Sequence, residues 1–458
     1  MNELLKQLTK GRATPSMQEL VHRDGRPVPA VFEIESPRFL GDEDIPFERY
    51  TSQDFFDREM ERMWPRAWQW ACREEHIPEP GDYYVYEVGR HSALIVRQED
   101  GSVAGFVNSC MHRGTKFALG GMMGSVTALR CPFHGWTWSL AGELKRVPYG
   151  WDAPHVMERD FTMPRVSIGL WGGFVFVNFD PDAAPLLDYL SPVPEHFANF
   201  DMEDRFVELH IEKELYCNWK AGKEAFVENY HTQETHPQLL LGADDEGTQY
   251  DVFNDNVSRF FCAFGIPSQL IEPRPTEQEL IDTMLVGDRT KLGDAVTVGE
   301  GETARMVMAR VLRQTLGEAY GVDLGRYTDT EMVDVSQYGI FPNMILFPQL
   351  SLPMVYRFRP IGEDPNRTLF ELLILRPAPA NGPRPEPAAP YRLGEADSFT
   401  TAPGFDPILG HVYDQDTNNL RAQHEGMRAA RKKGQTLLNY QEVRVRLMHQ
   451  TLDKYLED

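Results

Sequence analysis

Two loops that each pair a cysteine with a histidine constrain this chain more than anything else in it. Cys110 and His112 stand in "CMHRG", Cys131 and His134 in "CPFHGW", giving C-x-H-x18-C-x2-H. The chain holds only five cysteines in 458 residues, so thiols are not scattered through it. Two thiolates with two imidazoles would suit tetrahedral zinc. Zinc fingers, however, usually pair Cys with Cys and His with His, whereas here each loop brings one of each. That arrangement fits two loops gripping a two-iron cluster, with both thiolates on one iron and both imidazoles on the other. Neutral imidazoles in place of two thiolates lower the negative charge, so such a cluster accepts an electron more readily. Gly114 and Gly135, flanking the pairs, let the backbone approach the bridging sulfides closely.

The surroundings of these loops read as β structure. "DYYVYEV", "SALIVRQ" and "VAGFVNS" are short β-rich runs, with "EDGS" as a hairpin signal between the last two. "SVTALRC", "TWSLAGELKRV" and "GGFVFVNFD" continue the pattern, which predicts a compact all-β domain over 67–182. Ahead of it, residues 1–66 read as an irregular arm. It ends in a helix over "TSQDFFDREMERMW", capped by Thr51 or Ser52, that packs on the larger domain. From 183 to 458 the pattern mixes. "WKAGKEAFVENYH" and "GETARMVMARVLRQTL" read as helices, and "NMILFPQLSLPMVYRFRP" and "RTLFELLILRP" as interrupted strands. "PAPANGPRPEPAAP" is an extended loop, and "DTNNLRAQHEGMRAARKKG" and "QEVRVRLMHQTLDKYL" are closing helices. The fold class is therefore α+β.

A second metal site would separate an enzyme from an electron carrier, and "FVENYHTQETHPQ" supplies candidates. His231 and His236 are five apart, about 140° around a regular helix and too wide for one face. Pro237 pushes His236 out of the helical region, so the helix should end near His231 and the chain should turn His236 back toward it. Iron that activates O2 is commonly held by two His and one carboxylate, with open positions left for oxygen. Glu228, three residues before His231, would share its helical face. Glu224 and Glu234 read as acids without a role.

With both constellations in view, "SCMHRGTKFA" and "RCPFHGWTWSLAGEL" closely resemble the cluster loops of Rieske non-haem iron oxygenase α subunits, the aromatic-ring-hydroxylating family. The resemblance extends over about residues 45–450, and the spacer of 18 is slightly longer than the family's usual one. It implies a Rieske [2Fe–2S] cluster on Cys110, His112, Cys131 and His134. It also implies a larger catalytic domain of helix-grip (START-like) type, with a central antiparallel sheet and a mononuclear Fe(II). The iron ligands would be His231, His236 and a carboxylate ahead of a Q-x2-G run. "DQDTNNLRAQHEGM" fits, with Asp416 chosen over Asp414, and either could instead be a helix N-cap. Glu228 stands where the family usually has Asp, the residue that links one subunit's iron to the next subunit's cluster in a head-to-tail trimer. His134 would face it across that boundary.

The implied activity is that of a terminal oxygenase. It would hydroxylate a hydrophobic, aromatic substrate with O2, by cis-dihydroxylation or by monooxygenation or demethylation. Each turnover needs two electrons from NAD(P)H. No G-x-G-x-x-G follows a strand and no plant-type ferredoxin cysteine run is present, so the reductase or ferredoxin must be another polypeptide. Arg113, Lys116, Arg130, Lys145 and Arg146 form a basic patch that could steer an acidic redox partner. The assembly would be α3, or α3β3 with a small subunit. Residues 258–271 and 344–350, with Phe226 and Leu240, are apolar enough to line the substrate pocket. The net charge of −23 argues against nucleic acid and anionic membrane, and no run of about 18 apolar residues predicts a membrane span. Sparse cysteines and the absence of a secretory N-terminal pattern predict a cytoplasmic location. Two rivals are a Rieske electron-transfer protein without oxygenase activity and a zinc-stabilised binding module.

Overall fold

The computed structural model describes residues 3–12, 14–285, 296–379 and 382–457. They group into two compact units. The first comprises 53–194 with 360–364 and the C-terminal end, and the second comprises residues up to 52, 195–359 and 365–453. The breaks fall at 52/53 and 194/195, whereas the sequence pattern predicts 66/67 and 182/183. Residues 53–66 join the first unit because they are bonded to its strands. Met60 O lies 2.6 Å from His91 Nε2, and Gln69 Nε2 donates to Trp64 O at 2.7 Å. Likewise Trp68 Nε1 donates to Ala184 O at 2.9 Å, which ties the segment after 182 to the same unit. The expected single helix over 51–64 is broken at Ser52. Gln53–Arg58 is α-helical and Glu59–Met63 a π turn.

The first unit is built on a seven-stranded sheet in the spatial order Gln69–Arg73, Phe174–Asn178, Arg165–Trp171, Val103–Val107, His91–Arg97, Asp82–Val88 and Met123–Ser125. Neighbours are antiparallel throughout. The "EDGS" turn forms as its residues dictate. Asp100 Oδ1 accepts the Ser102 N–H at 2.9 Å, and Gly101 takes φ +82°. A three-stranded sheet of Leu129–Arg130, Thr137–Trp138 and Leu144–Arg146 carries the second Cys–His loop. Trp138 is fully buried in the core beneath both loops, its Nε1 donating to Phe161 O at 2.8 Å.

The second unit has an eight-stranded sheet running Gln249–Val252, Val257–Cys262, Val335–Ile340, Met344–Leu346, Met354–Pro360, Thr368–Pro377, Arg205–Leu215 and Tyr391–Leu393. The last strand pairs in parallel with Arg205–Leu215. The Pro-rich loop follows Thr368–Pro377, and its Ala380 and Asn381 lie outside the described residues. Two long helices close the chain. Pro407–Ala429 begins well before the predicted 416, because Asp406 accepts the N–H groups of Ile408 and Leu409 as its N-cap. Its buried residues Gly410, Tyr413, Thr417, Leu420, His424 and Met427 recur every three or four positions, the stripe of a helix facing a core. Asp416 lies on that stripe. Val443–Glu457 is the second helix. Among the described residues no helix is long and apolar enough to cross a membrane.

Among several bonds that hold the N-terminal arm within the second unit, one group is centred on a buried ion pair. Arg259 and Asp251 are both fully buried and 2.7 Å apart. Asp251 Oδ1 also accepts the Ser36 N–H at 2.7 Å, and Arg259 donates to the backbone oxygens of Val31 and Ile34, each at 2.9 Å. Removing one partner strands a charge in a place water does not reach. Asp251→Ala is therefore expected to destabilise this unit by about 3–5 kcal/mol, read as a lower urea midpoint at unchanged m-value. A shift below 1 kcal/mol would show that the pair is not desolvated as described.

Candidate functional site

The two cluster loops are built alike. In the first, Cys110 N–H donates to Thr115 O at 2.9 Å and Gly114 N–H returns to Cys110 O at 2.9 Å. In the second, Cys131 N–H donates to Trp136 O at 2.8 Å and Gly135 N–H returns to Cys131 O at 3.1 Å. Each loop thus closes on its own cysteine, with a glycine four residues on at φ +77° and +71°. That left-handed backbone is the reason both positions are glycine. Cys110 and Cys131 are buried and unoxidised, and His112 and His134 are exposed, their ring centroids 4.8 Å apart. His112 also stacks on Trp136 at 4.7 Å, with its ring almost parallel to the indole.

The donor set suits the cluster. Burial pushes the Cys110 thiol up, and the neighbouring Cys131 adds to this, so a thiolate pair is stable there only beside positive charge. Burial and the nearby His134 and Arg113 lower His112, a direction that favours the neutral ring a metal binds. The basic patch is smaller than the sequence suggests. Lys116 pairs with Glu87 and Lys145 with Glu143, each at 2.6 Å, and Arg113 lies over the Phe133 ring.

In the second unit the chain brings His231, His236 and Asp416 together, each offering a ligand atom within 4.8 Å of the others. The predicted helix over 219–231 does not run that far. Asn218 caps Trp219–Glu224, which stops at Glu224, and a separate turn, Thr232–Thr235, begins at His231. Glu228 starts that turn. Its Oε2 accepts the N–H groups of Tyr230 and His231, the latter at 3.1 Å, and its Oε1 lies 2.7 Å from His231 Nδ1. So Glu228 does not share a helical face with His231. It reaches the ring as a turn-forming carboxylate bonded to both backbone and imidazole. His236 follows at the end of the turn, ahead of Pro237.

The hydrogen bonds around the two rings define which nitrogens point inward. His231 Nδ1 faces Glu228, and His236 Nδ1 faces Gln415 Oε1 at 3.0 Å. Both Nε2 atoms face Asp416 Oδ1, at 3.4 Å from His231 and 2.6 Å from His236. With the outer nitrogens bonded to Glu228 and Gln415, the inner nitrogens and the Asp416 carboxylate turn toward one another, a set that a proton or a metal cation can bridge. Burial disfavours a charged His231, yet Glu228 and Asp416 outweigh it and push the imidazole up to about 10. A two-His, one-carboxylate set with outer-nitrogen acceptors is what a mononuclear iron requires. Asp414 is not part of it, since its carboxylate is taken up by Ser398 and the Phe399 N–H. Neither aspartate is the helix N-cap, which is Asp406.

Gln415 could not be singled out from sequence, although it directly precedes Asp416. Glu224, read as an acid without a role, is buried and hydrogen-bonded to Tyr50 (2.8 Å) and His449 (2.9 Å). The Glu234 carboxylate is not part of the ligand group, and its backbone N–H donates to His231 O at 3.1 Å as part of the turn. Beside the triad lies a cavity of about 310 Å³, bordered by Glu224, Glu228, His231, Asp416, Gln435 and Glu442, among others. Residues 258–271 and 344–350, with Phe226 and Leu240, do not border it. Most of them are packed into the core. Phe226, for example, lies against Tyr356, Phe358, Phe370 and Tyr413. Burial, reinforced by Glu228 and Glu224, pushes the Glu442 carboxyl up to about 7.

Comparison with known proteins agrees with this geometry. Residues 67–154 match the Rieske [2Fe-2S] domain, and residues 200–458 match the ring hydroxylating alpha subunit (catalytic domain). The chlorobenzene dioxygenase subunit alpha of Cupriavidus sp. (strain PS12) is 32% identical over 212 residues, 44% of this chain and 46% of that protein. The glycine betaine monooxygenase oxygenase subunit of Pseudomonas aeruginosa (strain UCBPP-PA14) is 28% identical over 196 residues, 43% of this chain and 45% of that one. The chain spans about half the length of the curated relatives it matches. Among solved structures, naphthalene 1,2-dioxygenase with indole bound shares the fold at TM-score 0.62 and 17% identity, over 92% of this chain and 93% of that one. The quaternary ammonium Rieske monooxygenase CntA with L-carnitine does so at TM-score 0.60 and 17% identity, over 92% and 99%. With its Rieske unit and its mononuclear-iron catalytic unit in one polypeptide, the chain belongs to the family of ring-hydroxylating oxygenase alpha subunits.

Proposed function

We propose that this chain is a terminal oxygenase component that hydroxylates a hydrophobic, aromatic substrate. It uses O2 and electrons from NAD(P)H, delivered by a separate reductase or ferredoxin. The observation that carries the reading is the coexistence of two donor sets of different chemistry. Cys110, His112, Cys131 and His134 would hold a [2Fe–2S] cluster, and His231, His236 and Asp416 a lone iron. The chemistry these groups supply when bound is single-electron transfer from the cluster and reduction of O2 at the lone iron. The chain's own residues then have distinct tasks. Glu228 fixes the His231 ring and holds its Nδ1 proton, so that Nε2 stays turned inward. Gln415 does the same for His236. His134, at the exposed tip of its loop, is our choice for the group that meets Glu228 of a neighbouring copy in an α3 or α3β3 assembly.

The cavity favours a second reading of the substrate. Glu224, Glu228, Glu442 and Asp416 border it, and no Lys or Arg does. An acidic wall attracts a cation, so a substrate with a quaternary ammonium group fits it electrostatically. The P. aeruginosa relative acts on glycine betaine.

Three measurements test these statements. Purified wild-type chain should carry about three irons, two in the cluster and one mononuclear. Asp416→Ala and His236→Ala should each lose about one iron while keeping the paramagnetic signal of the reduced cluster. Loss of that signal in both variants would refute the separation of the two sites. Glu228→Gln should keep iron and a reducible cluster but lower turnover about 10- to 100-fold, and wild-type turnover in it would remove Glu228 from the path. With a matched reductase and 18O2, label should enter an aromatic hydrocarbon. Label entering only a betaine-type substrate would select the second reading, and label in neither would count against an oxygenase.

A further inference from the structure

Among the described residues, two buried cations in the second unit form no ion pair, the nearest carboxylates acting on them only from a distance. Lys223 is 4% exposed and Arg444 2%. Lys223 Nζ donates to Ile340 O at 3.1 Å and Pro342 O at 2.8 Å. Arg444 donates through Nη1 to Val227 O and Gln337 Oε1, both at 2.8 Å, and through Nε to Ser258 Oγ at 3.0 Å. All five acceptors are neutral. Arg444 Nη2 is buried without any hydrogen-bond partner, and among the described residues neither cation forms an ion pair. Stranding two like charges out of water costs several kcal/mol each unless something compensates them.

Both side chains border one small cavity with Ser258, Asn256 and Gly339, and the exposed Asp255 stands at its edge. Its volume of about 20 Å³ leaves room for one small particle, a water or a monatomic ion. Gly339 keeps that space open to the guanidinium, because a Cβ there would stand 2.8 Å from Arg444 Nη2. The electrostatics agree. Burial, then Arg444, lowers Lys223 to about 7, and burial lowers Arg444 to about 9. Glu224 opposes the shift at Lys223, but Tyr50 and His449 already occupy its carboxylate.

We propose that the cavity between Lys223 and Arg444 binds one monatomic anion of chloride size. The free Nη2–H of Arg444 and the Lys223 ammonium are its principal donors. The site lies directly behind Val227, whose carbonyl Arg444 holds, and therefore behind the segment that carries Glu228. Because the anion binds the protonated amine, its affinity should fall as pH rises above about 7. The groups that face this amine are Arg444, Glu224 and Asp255.

The test uses the holoenzyme. Crystals soaked in sodium bromide, with data collected at the bromine edge, should show an anomalous peak between Lys223 and Arg444. In solution, replacing gluconate by chloride at constant ionic strength should raise the thermal midpoint saturably, and Lys223→Met should abolish that response. A cavity holding only water overturns the proposal. So does a chloride response in Lys223→Met equal to wild type. Bromide density with no wild-type chloride response marks an adventitious ion only, and overturns it too.

Discussion

The second unit is organised around a convergence of three ligand atoms. Two imidazole nitrogens face one carboxylate oxygen at 2.6 and 3.4 Å, while both outer ring nitrogens are held by Glu228 and Gln415. Such a set is bridged by a proton, in keeping with the raised His231, or by a metal cation. The fold forces the convergence from parts far apart in sequence. Asp416 arrives on a helix whose other inward-facing residues, Tyr413, Leu420 and Met427, pack into the core and so fix its height and rotation. His231 and His236 arrive on a four-residue turn that Glu228 initiates. Loosening any of these anchors would let the three ligand atoms separate.

The cluster unit solves its problem differently. All four of its donors come from two neighbouring loops, and the backbone of each loop is closed on itself. It needs no distant helix. This difference explains how much of each site was legible in the sequence. The four candidate cluster ligands stand in two short motifs, so spacing could nominate them together and the family resemblance could assign them, since local motifs encode local structure. The glycines were legible too, and the structure adds that both sit in left-handed backbone. Asp416 was within reach only through the family resemblance. A lone acid on an otherwise apolar helical stripe looks the same as a cap or a surface charge until the helix boundaries are known, and Asp406 sets those boundaries ten residues earlier.

Other features lay beyond sequence for identifiable reasons. "WKAGKEAFVENYH" has good helical spacing, yet the helix stops at Glu224, and Glu228 then offers its carboxylate to the backbone two and three residues on, which starts a separate turn. Aromatic runs such as 258–264 read equally well as pocket or core, and packing made most of them core. The cavity that does adjoin the triad is bordered by acids spread from 224 to 442, which no local pattern connects. The arm up to residue 52 and the segment from 53 divide between the units because their partners differ, and pairing partners are not written in periodicity.

The twin construction of the cluster loops has a mechanical meaning. In both, the cysteine's own N–H and C=O are tied off, so the thiol and the following imidazole project from a frame that side-chain motion does not set. A donor set framed by backbone rather than by side-chain packing would keep its shape whatever the charge of a group bound there, and the exposed histidines would be the part of the frame open to a neighbour.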